Sequence, residues 1–300
     1  MGPTKSTTVR RLWLALAAAT ALTTLPACTT SSDEPDGTDR TARRAAASHA
    51  ASVAALRTAE RSTDGADSVR VESATTLGSM MSMTADGTLA WGDGLTGTLT
   101  ITYTGGTLAD TVRRLGSASM EARYLPDAYY ARMGDRFAAR AGGRHWIRYG
   151  YEDLKDLAGG SAAHLADHMR STTPHQSVKL LLASGDVRKV GEERIRGRRT
   201  THYAGTVDVA GLAPRDSGLS ESRLAELKEQ LTRAGVTIQT VDLWVDDRDL
   251  LVKKVERADT ATGRLTQTAH YDDYGVGVST QAPPAGDTQD FTELVDGQLS

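Results

Sequence analysis

Three groups of side chains in this sequence have the types and spacing to do chemistry. The first is a single thiol. Cys28 is the one cysteine among 300 residues, so it can neither close an internal disulfide nor build a cysteine-based zinc or iron–sulfur site. A buried thiol, a nucleophile or a point of covalent attachment are the roles left to it. The second group is a histidine pair, His164 and His168, with His175 nearby. A spacing of four sets two imidazoles on one helix face, where they can share a metal. The residues between them are Leu-Ala-Asp, so the glutamate of an HExxH metalloprotease is missing. A solvated helix face is the expectation, with no metal bound. The third is Gly92 to Gly97, GDGLTG, which spells GxGxxG. A dinucleotide fold needs a strand before that loop and a helix after it. Here the alternating run TLTITY, residues 98–103, follows instead, so the glycines read as hairpin turns and no nucleotide cofactor is expected. No G-x-S-x-G occurs, and the carboxylates are scattered over turns and helix faces. The expectation is a protein without catalytic residues or cofactor.

The surroundings of Cys28 decide among its roles. Lys5, Arg10 and Arg11 precede an apolar run from Leu12 to Leu25, and small Ala27 stands just before the cysteine. That order matches an export signal, and the run falls short of the ~20 apolar residues that cross a bilayer. Leu25, Ala27 and Cys28 resemble a bacterial lipobox, from which Pro26 departs. The resemblance implies that residues 1–27 are removed and that Cys28 becomes a lipidated N-terminus. Ordinary secretion with an exposed thiol is the alternative. Val9 stands where a twin-arginine signal has Ser or Thr, which leaves the export route open. Loss of three positive charges and no acids moves the formal net charge from −3 to −6. Phosphate binding needs a clustered basic face, so nucleic acid is not an expected partner.

The elements behind these residues follow from period and punctuation. Residues 28–40 are polar and carry Pro and Gly, a flexible tether. Residues 41–61 are Ala-rich, with Ala46, Ala50, Val53 and Leu56 at helical spacing. From Val69 the period becomes two, with turn signals at Asp86-Gly87 and Asp93-Gly94, which predicts consecutive hairpins. Pro126-Asp127 divides the run 120–133 into two strands, and residues 145–149 add another. Short helices are predicted over 152–158 and 161–170. Pro174 to Gly185 reads as a buried helix opened by proline and closed by glycine. A hairpin turning near Gly197 covers 187–209. An amphipathic helix follows over 220–235, with Ser220 as its cap. Strands return over 237–245, 250–257 and 265–271. Sequential antiparallel strands with grouped helices mean an α+β fold. No internal repeat or second linker appears, so one domain over 41–291 with a tail at 292–300 is expected.

Apolar residues supply the remaining candidates. Met81 and Met83 point to one face of a strand and Met80 to the other. Clustered methionines suit a surface that adapts to variable apolar ligands, and they equally suit a core in a chain with only two Phe. Trp91, Tyr129, Trp146, Leu181 and Trp244 join Met81 and Met83 as candidate cavity lining, with ordinary core as the competing reading.

The order of these parts resembles the LppX/LprAFG lipoproteins of actinobacteria, which share the LolA/LolB fold. The pieces that carry the resemblance are the lipobox and tether, the tyrosine-bearing strand pair ARYLPDAYYARM at 122–133, HWIRY at 145–149, VDLWVDDRDLLVKKV at 241–255 and YDDYG at 271–275. The resemblance implies a strongly curved antiparallel half-barrel of about 10–11 strands, with helices over its concave face and an apolar cavity between. It implies no catalytic residues. The expected protein is a monomer anchored on the extracytoplasmic face of the cell membrane that binds or transfers a lipid or other hydrophobic molecule. The alternative is an envelope sensor or accessory of the same fold that works through protein–protein contacts without cargo.

Overall fold

The computed structural model buries alternate residues of the strands at 68–77 and 96–105, as the period-two pattern demands, and buries residues on both faces of those at 128–132 and 238–246. It describes residues 37–299 apart from 115, 157–172 and 216. Cys28, His164 and His168, together with the expected signal, most of the tether and the helix at 161–170, lie outside the described residues.

Helix α1 (Gly37–Asp64) leads into β1 (Ser68–Leu77), β2 (Met81–Ala90) and β3 (Thr96–Gly105). Helix α2 (Gly106–Arg114) precedes β4 (Ser119–Tyr124), β5 (Ala128–Arg132), the short α3 (Asp135–Ala138), β6 (Trp146–Gly150) and α4 (Tyr151–Asp156). Next come α5 (Pro174–Ser184), β7 (Arg188–Ile195), β8 (Arg198–Asp208), α6 (Glu221–Arg233), β9 (Ile238–Asp246), β10 (Leu251–Thr260) and β11 (Gly263–Asp272). The chain closes with β12 (Thr288–Asp290) and α7 (Phe291–Leu299).

Among the described residues the strands form one open sheet of 12, in the order β12-β6-β5-β4-β3-β2-β1-β11-β10-β9-β8-β7. The count exceeds the expected 10–11, and the extra strand is β12, which pairs with β6 in parallel while every other pair is antiparallel. Three residues are too few to show a period, which is why β12 is silent in the sequence. The helix α7 likewise occupies residues assigned to a tail, and its Phe291 ring packs 4.8 Å from Tyr149.

Register fixes which residues share the inner face. Val71 lies opposite Tyr271 and Gly87, Ala85 opposite Ile101, Leu99 opposite Ala122, and Tyr124 opposite Tyr129. These join Leu56 and Ala59 of α1 and the leucines of α5 in one buried cluster. Asp86-Gly87, expected as a turn, instead sits inside β2, and the chain turns at 78–80. A Cβ on Gly87 would stand 2.0 Å from the Thr98 carbonyl oxygen, so this glycine serves a close strand approach.

Helices α1 and α5 lie against this face. His49 Nδ1 is 2.9 Å from the Val187 carbonyl oxygen, while near the other end of α1 Thr63 Oγ1 accepts from Leu251 N–H at 3.1 Å. Lys179 of α5 pairs with Glu60 of α1 at 3.3 Å. Helix α5 packs over β8, β9 and β10, with Leu181 fully buried. Ser220 caps α6 as its sequence predicts, its Oγ accepting from Arg223 N–H.

Candidate binding site on the inner face

Two cavities open at opposite ends of β3, β4 and β5. The first, of about 230 Å³, lies where Tyr103 ends β3, Met120 begins β4 and Met133 follows β5. Tyr129, Ala131 and Tyr149 form its floor, and Val112 of α2 reaches it from above. Strand alternation delivers these side chains: each belongs to the inner-face set of its strand. Ala109 is the only buried residue of α2.

The second cavity, of about 380 Å³, is framed by Asp64 at the end of α1, Trp91 and Leu95 of the β2–β3 turn, Leu125 and Pro126 of the β4–β5 turn, and Thr173, His175 and Gln176 at the start of α5. Trp91 Nε1 donates to the Asp64 carbonyl oxygen at 2.7 Å, which ties that turn to α1.

A tyrosine cluster separates the two. The Tyr124 and Tyr129 rings meet edge to face at 5.1 Å, and Tyr149 follows at 5.7 Å from Tyr129. Burial, then the neighbouring Tyr151 and Tyr103, push the Tyr124 hydroxyl well above its ordinary range. Burial with a smaller contribution from Tyr103 raises Tyr149 to about 12. These hydroxyls stay protonated at neutral pH, so the cluster presents an uncharged wall.

His175 is a buried titratable group of the second cavity, 5% exposed. Burial lowers its pKa to about 4, with Asp64 acting against the shift and Lys179 adding to it. An unfolded histidine takes its proton near 6.5, so the unfolded state binds more protons between about 6.5 and about 4. Folding stability should therefore fall as pH drops through that window. His175→Gln is expected to flatten this part of the curve, measured by urea unfolding across the same range.

The structure divides the residues singled out in the sequence. Met81, Met83 and Tyr129 share the inner face, and Met83 lies opposite Tyr103 in the β2–β3 register. Tyr129 lines the first cavity and Trp91 the second. Leu181 belongs to the core under α5. Trp146 and Trp244 lie on the opposite face, away from both cavities. Trp146 is buried with Ala128 and Tyr130 under Arg123, whose Cζ is 4.6 Å from the ring centroid. Trp244 stacks on His202 at 4.3 Å, with Lys253 Nζ 4.1 Å from its ring. A strand tryptophan is buried equally well on either face when a long cation covers it. Tyr103, Met120, Met133 and Tyr149 were the lining residues that single-strand reading missed. Their common face becomes visible only through register.

No protein-family model matches the chain. It is 54% identical to the Streptomyces coelicolor protein named "Putative lipoprotein SCO4650" over 98% of this chain and 99% of that one. It is also 54% identical to a Streptomyces griseus "Uncharacterized 31.2 kDa protein in rplA-rplJ intergenic region", over 83% of this chain and 82% of the relative. Among solved structures, the Mycobacterium tuberculosis lipoprotein LppX aligns with a TM-score of 0.48 and 17% identity, over 77% of this chain and 98% of that one. With more than half of its residues shared along nearly its full length, the chain belongs to the family of the Streptomyces coelicolor protein.

Proposed function

We propose that this chain is an extracytoplasmic, membrane-anchored lipoprotein that holds a lipid or similar apolar molecule between its sheet and its helices. The observation that carries the reading is the tyrosine- and methionine-lined cavity beneath α2. Its 230 Å³ is below the roughly 300–1,000 Å³ of ordinary ligand pockets. A long chain therefore enters only if α2 lifts, and a helix with one buried residue lifts at little cost. Each methylene taken from water then stabilises the complex by about 0.8 kcal/mol. The anchor is Cys28, freed by removal of residues 1–27, and the polar segment after it gives the domain reach. The name of the Streptomyces coelicolor relative supports the anchor.

Native mass spectrometry of the mature protein from bacterial membranes tests the reading. A non-covalent lipid mass, present in native spectra and absent from denaturing ones, is expected. Val112→Trp, which fills the cavity from α2, should remove most of it. Trp146→Phe and Trp244→Phe, on the opposite face, should leave it unchanged. A protein with neither co-purifying nor exchangeable lipid would refute the proposal.

A further inference from the structure

The surface around the cavity under α2 carries the opposite charge to the chain as a whole. The formal net charge of the protein is −3, yet residues 106–148 hold eight arginines against four carboxylates. Some of these arginines are spent within the fold. Arg148 pairs with Asp153 at 2.9 Å and with Asp290 at 2.8 Å, and Arg123 pairs with Glu121 at 2.8 Å. Those beside the cavity are not. Arg113 and Arg114 lie in the last turn of α2, and Arg136 of α3 donates from Nη1 to the Arg114 carbonyl oxygen at 3.4 Å. That contact lies beside Ser117 and Gly134, which line the cavity. Arg140 follows one turn on, its N–H donating to the Phe137 carbonyl oxygen at 2.8 Å. Arg113 meets Asp110 at 2.9 Å. Arg114, Arg136 and Arg140 are exposed and, among the described residues, pair with no carboxylate.

Apolar side chains accompany these charges. Leu108 and Val112 of α2 and Phe137 of α3 are only half-buried. Met80, whose carbonyl oxygen accepts from Leu108 N–H at 3.0 Å, is 37% exposed. Cations for lipid phosphates, with apolar side chains for the acyl boundary, are what an interfacial segment presents to an anionic bilayer. Helix α1 also exposes arginines, at 44, 57 and 61, but its exposed positions from 45 to 54 carry only Ala, Ser and His. We infer that the α2–α3 surface docks the domain on a bilayer rich in anionic phospholipid, with the cavity under α2 turned toward the membrane. The inference rests on the membrane-anchored, apolar-ligand reading above and adds the surface that meets the bilayer and the charge of that bilayer. Val112, which reaches into the cavity from α2, then leaves it for acyl chains rather than for water when α2 lifts, without the cost of exposing apolar surface.

Co-sedimentation of the mature chain with vesicles tests the docking surface, the chain being produced without acyl groups so that the anchor adds nothing. The vesicles are phosphatidylcholine alone, or phosphatidylcholine and phosphatidylglycerol in equal parts. Binding to the mixed vesicles is expected, with little to the neutral ones. It should fall away at ~1 M salt, where the screening length is ~3 Å. An arginine at an anionic surface contributes about fivefold in affinity, so Arg114→Gln, Arg136→Gln and Arg140→Gln together should weaken binding about 100-fold. Arg44→Gln, Arg57→Gln and Arg61→Gln, the same loss of charge on α1, should weaken it far less. Equal loss in the two triple variants would show that binding follows net charge alone, and greater loss from the α1 set would place the bilayer on α1. Either result overturns the inference, as does equal binding to neutral and mixed vesicles or binding to neither. The lipid mass in native spectra then decides separately whether the apolar-ligand reading stands.

Discussion

Gly205→Ala is expected to destabilise the domain by about 3 kcal/mol, the upper part of the range for overpacking a tight site. Gly205 lies in β8 under the C-terminal end of α5. A Cβ there would stand 1.7 Å from the Asp186 carbonyl oxygen and 2.7 Å from Leu181 Cδ1. The first obstacle is backbone and cannot rotate away. Asp186 is also held from its other side, because its Oδ2 accepts from Thr206 N–H at 2.8 Å. The methyl must therefore push the α5–β7 connection off the sheet, and with it the fully buried Leu181. Thermal unfolding should show the effect at about 2–4 °C per kcal/mol for a domain of this size. Gly191→Ala is the matched control. Gly191 is also in a strand, but a Cβ there meets nothing within 4 Å, and its effect should stay within about 0.5 kcal/mol. Equal melting of the two variants would show that α5 does not press on β8 as described.

The second large effect concerns a buried charge pair on the inner face of the sheet. Lys254 lies opposite Ala269 and Leu243, both buried, so its side chain shares the inner face. Its ammonium donates to Ser177 Oγ of α5 at 2.9 Å and to Glu256 Oε2 at 3.4 Å. Both side chains of the ion pair are 13% exposed. Burial pulls the ammonium down, but Glu256 and then Tyr271 outweigh it and hold Lys254 above its ordinary pKa. Lys254→Met removes the cation and strands the Glu256 carboxylate, at a cost of about 3 kcal/mol. The double variant Lys254→Met, Glu256→Leu should recover most of that loss, because it leaves no unpaired charge. Denaturant midpoints of the two single variants and the double variant measure the coupling. A double variant as unstable as the sum of its parts would mean that the pair is not the buried unit described.

Much of this fold was readable because a one-sided sheet imposes a period on its strands. The alternation in β1 and β3, the Pro126 turn, the Gly197 turn and the Ser220 cap each carry a local signal, and each sits where that signal puts it. Local signals end where pairing begins. Asp86-Gly87 has turn chemistry, yet it runs straight through β2 because a neighbouring strand approaches too closely for a side chain. Tyr129 and Trp146 look equally suited to a cavity wall, but register sends one inward and the other outward. Alternation within one strand is enough to put Met83 on the same face as Met81, though neither lines either cavity. Met83's neighbour Tyr103, which lines the cavity under α2, needed the β2–β3 register to be found. The His175 site was nearer still to legibility. The histidine was noticed for metal spacing, whereas its environment is made by Asp64, more than a hundred positions away in the chain.

The claim at the centre is that the inner face under α2 accepts an apolar chain. A palmitate analogue carrying a diazirine at its terminal carbon, crosslinked to the mature protein and located by peptide mass spectrometry, measures this most directly. Adducts are predicted at Tyr103, Met120 and Met133, around the cavity where a tail would end. Adducts concentrated on the outer face around Trp146 and Trp244, or no adduct above that of the Val112→Trp variant, would contradict it.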